Sequence, residues 1–180
     1  TTTTDYCGNV VYENGVQKLL LTEEGYVTLS DGKYHYYLKD HQGNNRVVIN
    51  QSGTVEEANH YYPFGGVFAS SGNVQPYKYN GKEFDAKKGL NLYDYGARHY
   101  DAALGRFATV DPSAENYFNT SLYAYCGNNP ISRIDPTGAD WYEDKQGNLR
   151  WQEGSEALKG YTNIGSSASI ALGNDNYLNF

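Results

Sequence analysis

Turn-forming residues recur roughly every ten positions through the first part of this chain, and short runs rich in tyrosine and β-branched residues lie between them. That cadence leaves no room for helices of ordinary length and asks for a meander of antiparallel hairpins. Asn14-Gly15 separates Val10-Val11-Tyr12 from the run Val16 to Thr22 and has the chemistry of a two-residue hairpin turn. Glu23-Glu24-Gly25, Ser30-Asp31-Gly32, Asp40 to Asn44 and Gln51-Ser52-Gly53 continue the series. Between them lie Tyr26 to Leu29, Tyr34 to Lys39, Arg46 to Asn50 and Thr54 to Tyr62, and Pro63-Phe64-Gly65-Gly66 is read as the end of the set. Alternation along Tyr34 to Lys39 puts Tyr34, Tyr36 and Leu38 on one face and His35, Tyr37 and Lys39 on the other.

Composition agrees. Hydrophobic residues make up 39% of the chain but aromatics 15%, with 19 tyrosines and 20 glycines, so the apolar area comes from rings that tolerate half-burial rather than from long aliphatic runs. The length of 180 residues suits one domain, or one domain and a tail. The net charge of −7 argues against nucleic-acid binding, because a phosphate backbone must be met by a basic surface. No apolar run approaches the length of a membrane span. Cys7 and Cys126 make neither a disulfide framework nor a metal site and are read as half-buried strand thiols. The chain opens TTTTDYCGNVVYENG, as if inside a hairpin, so the reading here is a fragment whose first strand is covered by preceding repeats.

From residue 77 to 138 the turns are denser. Ala97 to Ala103 is read as a helical turn, and Ser113 to Asn119 as a short helix with Asp111 as N-cap and Pro112 near its start. Asn128-Asn129-Pro130 and Asp135-Pro136-Thr137-Gly138 are turn formers. Beyond 139, Trp141-Tyr142 and Trp151 flank Asp144 to Asn148 as one more hairpin, and a further strand is expected within Ile164 to Leu172.

The phrases of this second block resemble the Rhs (rearrangement hotspot) repeat-associated core domain. They are YKYNGKE at Tyr77 to Glu83, GLNLYDYGARHYDAALGRF at Gly89 to Phe107, the Asp111-Pro112 step, LYAYCGNNP at Leu122 to Pro130, and IDPTG at Ile134 to Gly138. The preceding residues resemble tyrosine-aspartate (YD) repeats, best in YHYYLKDHQGNNRVVINQSG at Tyr34 to Gly53 and YYPFG at Tyr61 to Gly65. The resemblance implies an all-β fold: a curled antiparallel sheet of YD-repeat hairpins (1–76), closed by an Rhs core plug (77–138) with one or two short helical turns. Residues 139–180 then form a variable segment leading towards an effector. Such proteins are secreted or surface-delivered polymorphic toxins of bacterial competition, and their repeats wind into a shell around a C-terminal toxin. The implied role is therefore a structural end-cap. Its expected partners are the chain's own C-terminal effector segment and the upstream YD repeats, with self-association through the open edge strand as a further expectation.

The resemblance also implies candidate chemistry. Members of the family, C components of Tc toxin complexes among them, are similar to intramolecular aspartyl proteases that cut themselves after the second DPxG phrase. By position the aspartates are Asp111 and Asp135, and the cut falls just after Ala139. Two carboxyl groups sharing a proton are what such chemistry requires. The sequence departs from that pattern at Val110, where arginine is usual, at Ser113-Ala114, which lacks the glycine, and at Ala139, where leucine is usual. An Asp-Pro step also starts a turn whatever its chemistry. The leading role is thus structural, and self-cleavage is the enzymatic alternative.

Structural positions singled out by the motif are Gly96, Arg98, Tyr100, Asp101, Gly105, Arg106, Phe107, Asn129, Pro130, Pro136 and Gly138. Arg98 and Arg106 are expected to pair with carboxylates such as Asp94, Asp101 or Asp111. His35, His41, His60 and His99 lack zinc spacing and are read as strand and turn residues. Asp40 to Asn45 and Asp144 to Asn148 lack the terminal glutamate of a calcium loop, so they are read as solvated turns, and no metal or cofactor is expected. Lys87-Lys88 reads as a solvated turn and Glu56-Glu57 as an exposed strand pair. A carbohydrate-binding cell-wall module is the alternative from another class, because tyrosines standing in an exposed row stack on sugar rings.

Overall fold

A computed structural model describes residues 2–112, 114 and 120–138, together with the backbone of five later strands. The architecture is all-β and antiparallel, with single 3-10 turns at Tyr79–Gly81, Lys87–Gly89 and Cys126–Asn128. Eight strands form one open sheet in sequence order: β1 Thr4–Cys7, β2 Val10–Glu13, β3 Val16–Thr22, β4 Gly25–Thr28, β5 Lys33–Lys39, β6 Asn45–Asn50, β7 Val55–Tyr61 and β8 Val67–Ser71. The Asn14-Gly15 turn has φ of 53° and 78°, the positive pair that lets a two-residue loop follow strand twist. At the β6–β7 turn, Asn50 Oδ1 accepts from the backbone N–H of Ser52 at 2.9 Å and of Thr54 at 3.0 Å.

Register separates the two faces. Tyr26 lies opposite His35, Tyr37 opposite Val48, and Val48 opposite Glu57, so these share one face with Asn59 and Tyr61 further along β7. Val27, Tyr34, Tyr36, Ile49, Leu38 and Val47 share the other. On that face Tyr34 and Leu38 stay about half exposed, at 52% and 51%.

The first face carries the plug. Strands β9 Glu83–Asp85, β10 Leu92–Asp94, β11 His99–Asp101 and β12 Arg106–Phe107 form a second sheet in the order β12-β11-β10-β9. Tyr61 from the large sheet packs with Tyr79, Tyr93, Tyr95, Tyr100, Phe107, Tyr125 and Cys126 in one buried aromatic cluster. Each tyrosine of the cluster keeps its hydroxyl satisfied. Tyr79, Tyr100 and Tyr93 donate to the carbonyls of Pro63, Phe64 and Gly65 at 2.9, 2.8 and 2.9 Å, and Tyr61 donates to that of Asn45 at 2.9 Å. Three consecutive carbonyls of the Tyr61 to Gly65 phrase are thus the dock for three plug tyrosines.

Five expectations are corrected. Pro63 to Gly66 does not end the sheet: it turns the chain into β8, because Tyr62 N–H bonds the Gly66 carbonyl at 2.8 Å and closes a hairpin. Ala97 to Ala103 contains strand β11 in place of a helical turn, drawn into the ladder by Tyr93 opposite Tyr100. Glu57 is fully buried: its side chain points to the plug, where it pairs with the Lys78 ammonium and accepts from Val74 N–H, Asn59 and Gln75. Asp40 to Asn45 is not a solvated turn. Asp40 binds Arg46 Nε at 2.7 Å and the Asn44 amide at 2.9 Å, and Asn44 and Asn45 are buried. Cys7 is exposed, and Cys126 is buried in a 3-10 turn.

The short helix expected at Ser113 to Asn119 and the Asp144 to Asn148 loop lie largely outside the described residues. Beyond Gly138, β13 Trp141–Asp144 pairs with β14 Leu149–Trp151 in the expected hairpin and also with β15 Tyr161–Asn163. Strands β16 Ser169–Gly173 and β17 Asn176–Asn179 pair with each other. Among the described residues, no helix is long and apolar enough to cross a membrane.

Candidate functional site: two aspartates on one arginine

The site is built from the turn between β10 and β11. Gly96 N–H bonds Asp94 Oδ1 at 2.7 Å, and Tyr95 N–H bonds the Arg98 carbonyl at 3.1 Å. That tight reversal turns the Arg98 side chain inward, where it is 2% exposed and its guanidinium lies 3.7 Å from the Phe107 ring centroid. A buried guanidinium must have acceptors on all sides. Its Nη2 meets Asp111 Oδ2 at 2.9 Å and Asp135 Oδ2 at 3.8 Å. Its Nε donates to the Gly138 carbonyl at 3.0 Å and its Nη1 to the Leu122 carbonyl at 3.4 Å.

The two aspartates arrive from different segments. Asp111 is fixed by its N–H, which bonds the Leu122 carbonyl at 2.9 Å. Asp135 folds its own carboxylate back over the turn that follows, with Oδ1 accepting from Thr137 N–H at 3.1 Å and from Gly138 N–H. Both are buried, at 8% and 2% exposure. Burial raises Asp135 to about 7, because a carboxylate loses hydration there. The Gly138 and Thr137 N–H groups and the charges of Arg98 and Lys82 pull it down without offsetting that loss. Arg98 is closer to Asp111, so Asp135 receives the weaker share of its field.

The backbone after Asp135 is held on every side. Lys82 Nζ donates to the Pro136 carbonyl, Ala97 N–H to the Thr137 carbonyl at 3.2 Å, and Arg98 Nε to the Gly138 carbonyl. Gly138 has φ of +82°, and a Cβ there would sit 3.5 Å from the Arg98 backbone nitrogen. Chemically, the arrangement sets an ion-paired carboxylate beside a carboxyl group that titrates near neutrality, both against one immobilised peptide segment. That asymmetry is what general acid–base work on an amide requires.

The other motif positions are placed as follows. Tyr100 and Phe107 are core. Asp101 Oδ1 accepts from Ala103 and Leu104 N–H at 2.9 and 3.1 Å and shapes the turn that Gly105 completes with φ of +67°. The Pro130 carbonyl accepts from buried Gln42, tying the turn at Asn129 to the large sheet. Arg106 differs from expectation: its side chain is exposed and has no ion pair among the described residues. The four histidines lie in strands or turns, and among the described residues no group of His, Cys, Asp or Glu is placed to hold a metal. Lys82 and the Glu57–Lys78 pair were missed. Lys82 stands inside the YKYNGKE phrase, but nothing in that phrase shows that its amine reaches a turn 54 residues away.

No protein-family model matches the chain. Salivary gland surface protein 1 of Aedes aegypti is 43% identical over 112 residues, covering 60% of this chain and 3% of that protein. Toxin subunit YenC2 of Yersinia entomophaga is 36% identical over 104 residues, covering 53% of this chain and 10% of the subunit. Among solved structures, the TcdB2-TccC3-Cdc42 crystal structure superposes with a TM-score of 0.62 at 23% identity, over 77% of this chain and 8% of that one. The chain thus spans a small fraction of the length of the relatives it matches, shares ancestry with a toxin subunit, and has the open antiparallel fold found within TcdB2-TccC3.

Proposed function

We propose that this chain is the closing wall of a Rhs/YD-repeat shell that encloses and presents a C-terminal effector segment of its own protein. The observation that carries this is the one-sided docking of the plug. Buried tyrosines and the Glu57–Lys78 pair fasten the described part of residues 77–138 to one sheet face, while β1 and β8 at the ends of the sheet each pair on one side only among the described residues. Free edges suit a wall that continues into neighbouring repeats. Homology to a toxin subunit supports the reading, and so does the shared fold. Secretion or surface delivery follows from it. Interlocked, buried tyrosines favour wall packing over an exposed sugar-stacking row. The test is limited proteolysis of a full-length protein carrying this segment. Residues beyond Gly138 resist digestion in the parent and become sensitive when Lys78→Met undocks the plug; equal sensitivity in both removes the proposal.

A second reading, self-cleavage just after Ala139, is favoured by the convergence of Asp111 and Asp135 on Arg98. In it, water adds to the peptide carbonyl carbon and its proton passes to Asp111. Asp135 gives its own proton to the departing nitrogen as the C–N bond breaks, leaving a new carboxyl and a new amine. Intact-mass measurement of a chain extended past Phe180, beside its Asp111→Ala form, decides this. A cut near Ala139 that vanishes in the variant supports it; an uncut parent ends it.

A further inference from the structure

Outside the Arg98 cluster, one half-buried cation, Lys82, has no carboxylate among its hydrogen-bond partners in the described residues. Lys82 follows the 3-10 turn at Tyr79–Gly81, and its ammonium is held 5.2 Å from the Tyr95 ring centroid. Its one hydrogen-bond acceptor among the described residues is the Pro136 carbonyl. A lysine normally keeps its head in water along such a surface. Here a cleft of about 490 Å³, lined by Tyr6, Lys82, Glu83, Asp94, Tyr95 and Thr137, opens beside the amine, yet the side chain turns inward onto the turn.

We propose that Lys82 is a positioning residue for self-cleavage, its ammonium clamping the Pro136 carbonyl so that the Asp135 to Gly138 turn is held against Arg98 and Asp111. This rests on the self-cleavage reading above. The turn has two cationic anchors from outside it: Lys82 at its start and Arg98 at its end. A peptide fixed at both ends presents its following bond in one orientation, which is the condition for attack by a bound carboxyl pair. The cleft beside Lys82 and Thr137 gives solvent a route to that segment.

The clamp also carries charge. Asp135 is faced by Arg98 from the β10–β11 turn, by Lys82 before β9, by the Cys126 thiol from its 3-10 turn, and by Asp111 across the guanidinium. Lys82 is faced by Asp135 and Asp94, and burial lowers its own proton affinity. Its positive charge holds Asp135 down, so its loss raises the midpoint at which Asp135 gives up its proton.

The experiment compares the extended chain with its Lys82→Gln and Lys82→Arg forms, measuring cleavage from acid to mildly alkaline pH. With Asp135 as the proton donor, the parent rate falls as pH rises through about 7. Lys82→Gln is expected to cut about tenfold more slowly or worse, with the falling limb moved up by about one pH unit. Lys82→Arg returns the limb towards the parent position. A Gln form with parent rate and limb overturns the inference. So does a Gln form slowed equally at every pH whose Arg counterpart is no better, since that is the mark of a merely structural role. A parent that never cuts removes the self-cleavage reading itself, and this inference with it. Carboxyl-resolved NMR titration of Asp135 in an uncut Asp111→Asn background supplies a readout independent of rate: the midpoint rises in Lys82→Gln, and an unmoved midpoint overturns the proposal.

Discussion

Asp135 costs the fold stability as its carboxyl ionises. In the unfolded chain its carboxyl has the ordinary value of 3.8, and in the fold it is raised to about 7. The folded state therefore binds the proton more tightly, so this stabilising contribution is complete below the unfolded value and is lost as pH rises through about 7. Asp135→Asn keeps an oxygen for Thr137 and Gly138 N–H but carries no charge to desolvate. It is expected to stabilise the fold at mildly alkaline pH by as much as about 4 kcal/mol, at about 1.4 kcal/mol per pH unit, seen as a higher melting temperature, and to have little effect in acid. Thermal melts of both forms across pH check the sign. At this scale the aspartates and Arg98 were legible because they sit in fixed phrases, whereas Glu57 was not. Its neighbours in sequence, Glu56 and Asn59, are polar, and only the register with Val48 and Tyr37 shows that it faces the plug.

The Tyr61 to Gly65 turn is the element on which the plug seats. Gly65 has φ of +86°, and a Cβ there meets the Tyr79 ring at 2.5 Å, inside van der Waals contact. Gly65→Ala is therefore strained in backbone and in packing, and a loss of roughly 3 kcal/mol or more is expected from denaturant unfolding. Tyr93→Phe removes only the hydroxyl that binds the Gly65 carbonyl and should cost about 1–3 kcal/mol, because a buried acceptor is left bare. A smaller loss for Gly65→Ala than for Tyr93→Phe contradicts this account. Hairpins β2 to β7 were readable from turn chemistry and alternation. Strand β8 was not, since Pro63-Phe64-Gly65-Gly66 looks the same whether it ends a sheet or turns it. Strand β11 was hidden because the stretch around it, from Ala97 to Ala103, is rich in alanine; pairing of Tyr100 with Tyr93 and Phe107 outweighs that local preference.

For the molecule as a whole, the open ends of the eight-stranded sheet govern behaviour in isolation. Strand β8 is exposed along its length, and Phe68 on it is 55% exposed beside the rings of His60 and Tyr62. The isolated chain is expected to associate through such edges as concentration rises, and Phe68→Lys to oppose this by placing charge on the edge. Sizing chromatography with light scattering tests it: a chain that stays monomeric at all concentrations refutes the expectation. All-β architecture follows from the turn cadence alone, but which face carries the plug does not. That depends on contacts such as Tyr6 with Glu83 and Gln42 with Pro130, which join residues far apart in the chain.

The tyrosine hydroxyls seated on the 63–65 carbonyls set an upper limit on alkalinity. Burial raises Tyr79, Tyr93, Tyr95, Tyr100 and Tyr125 well above their ordinary value of 10.0. Each stays neutral in the fold where the free phenol would ionise, so the stability they provide is intact below that value and drains away above it. In strong base, the five rings of the aromatic cluster should therefore ionise together, as one step of tyrosinate absorbance that coincides with the loss of the fold and stands apart from the signal of solvent-exposed rings such as Tyr34 and Tyr62. Ionisation of the cluster rings, ring by ring, in a chain that remains folded would show that their hydroxyls are not locked in place.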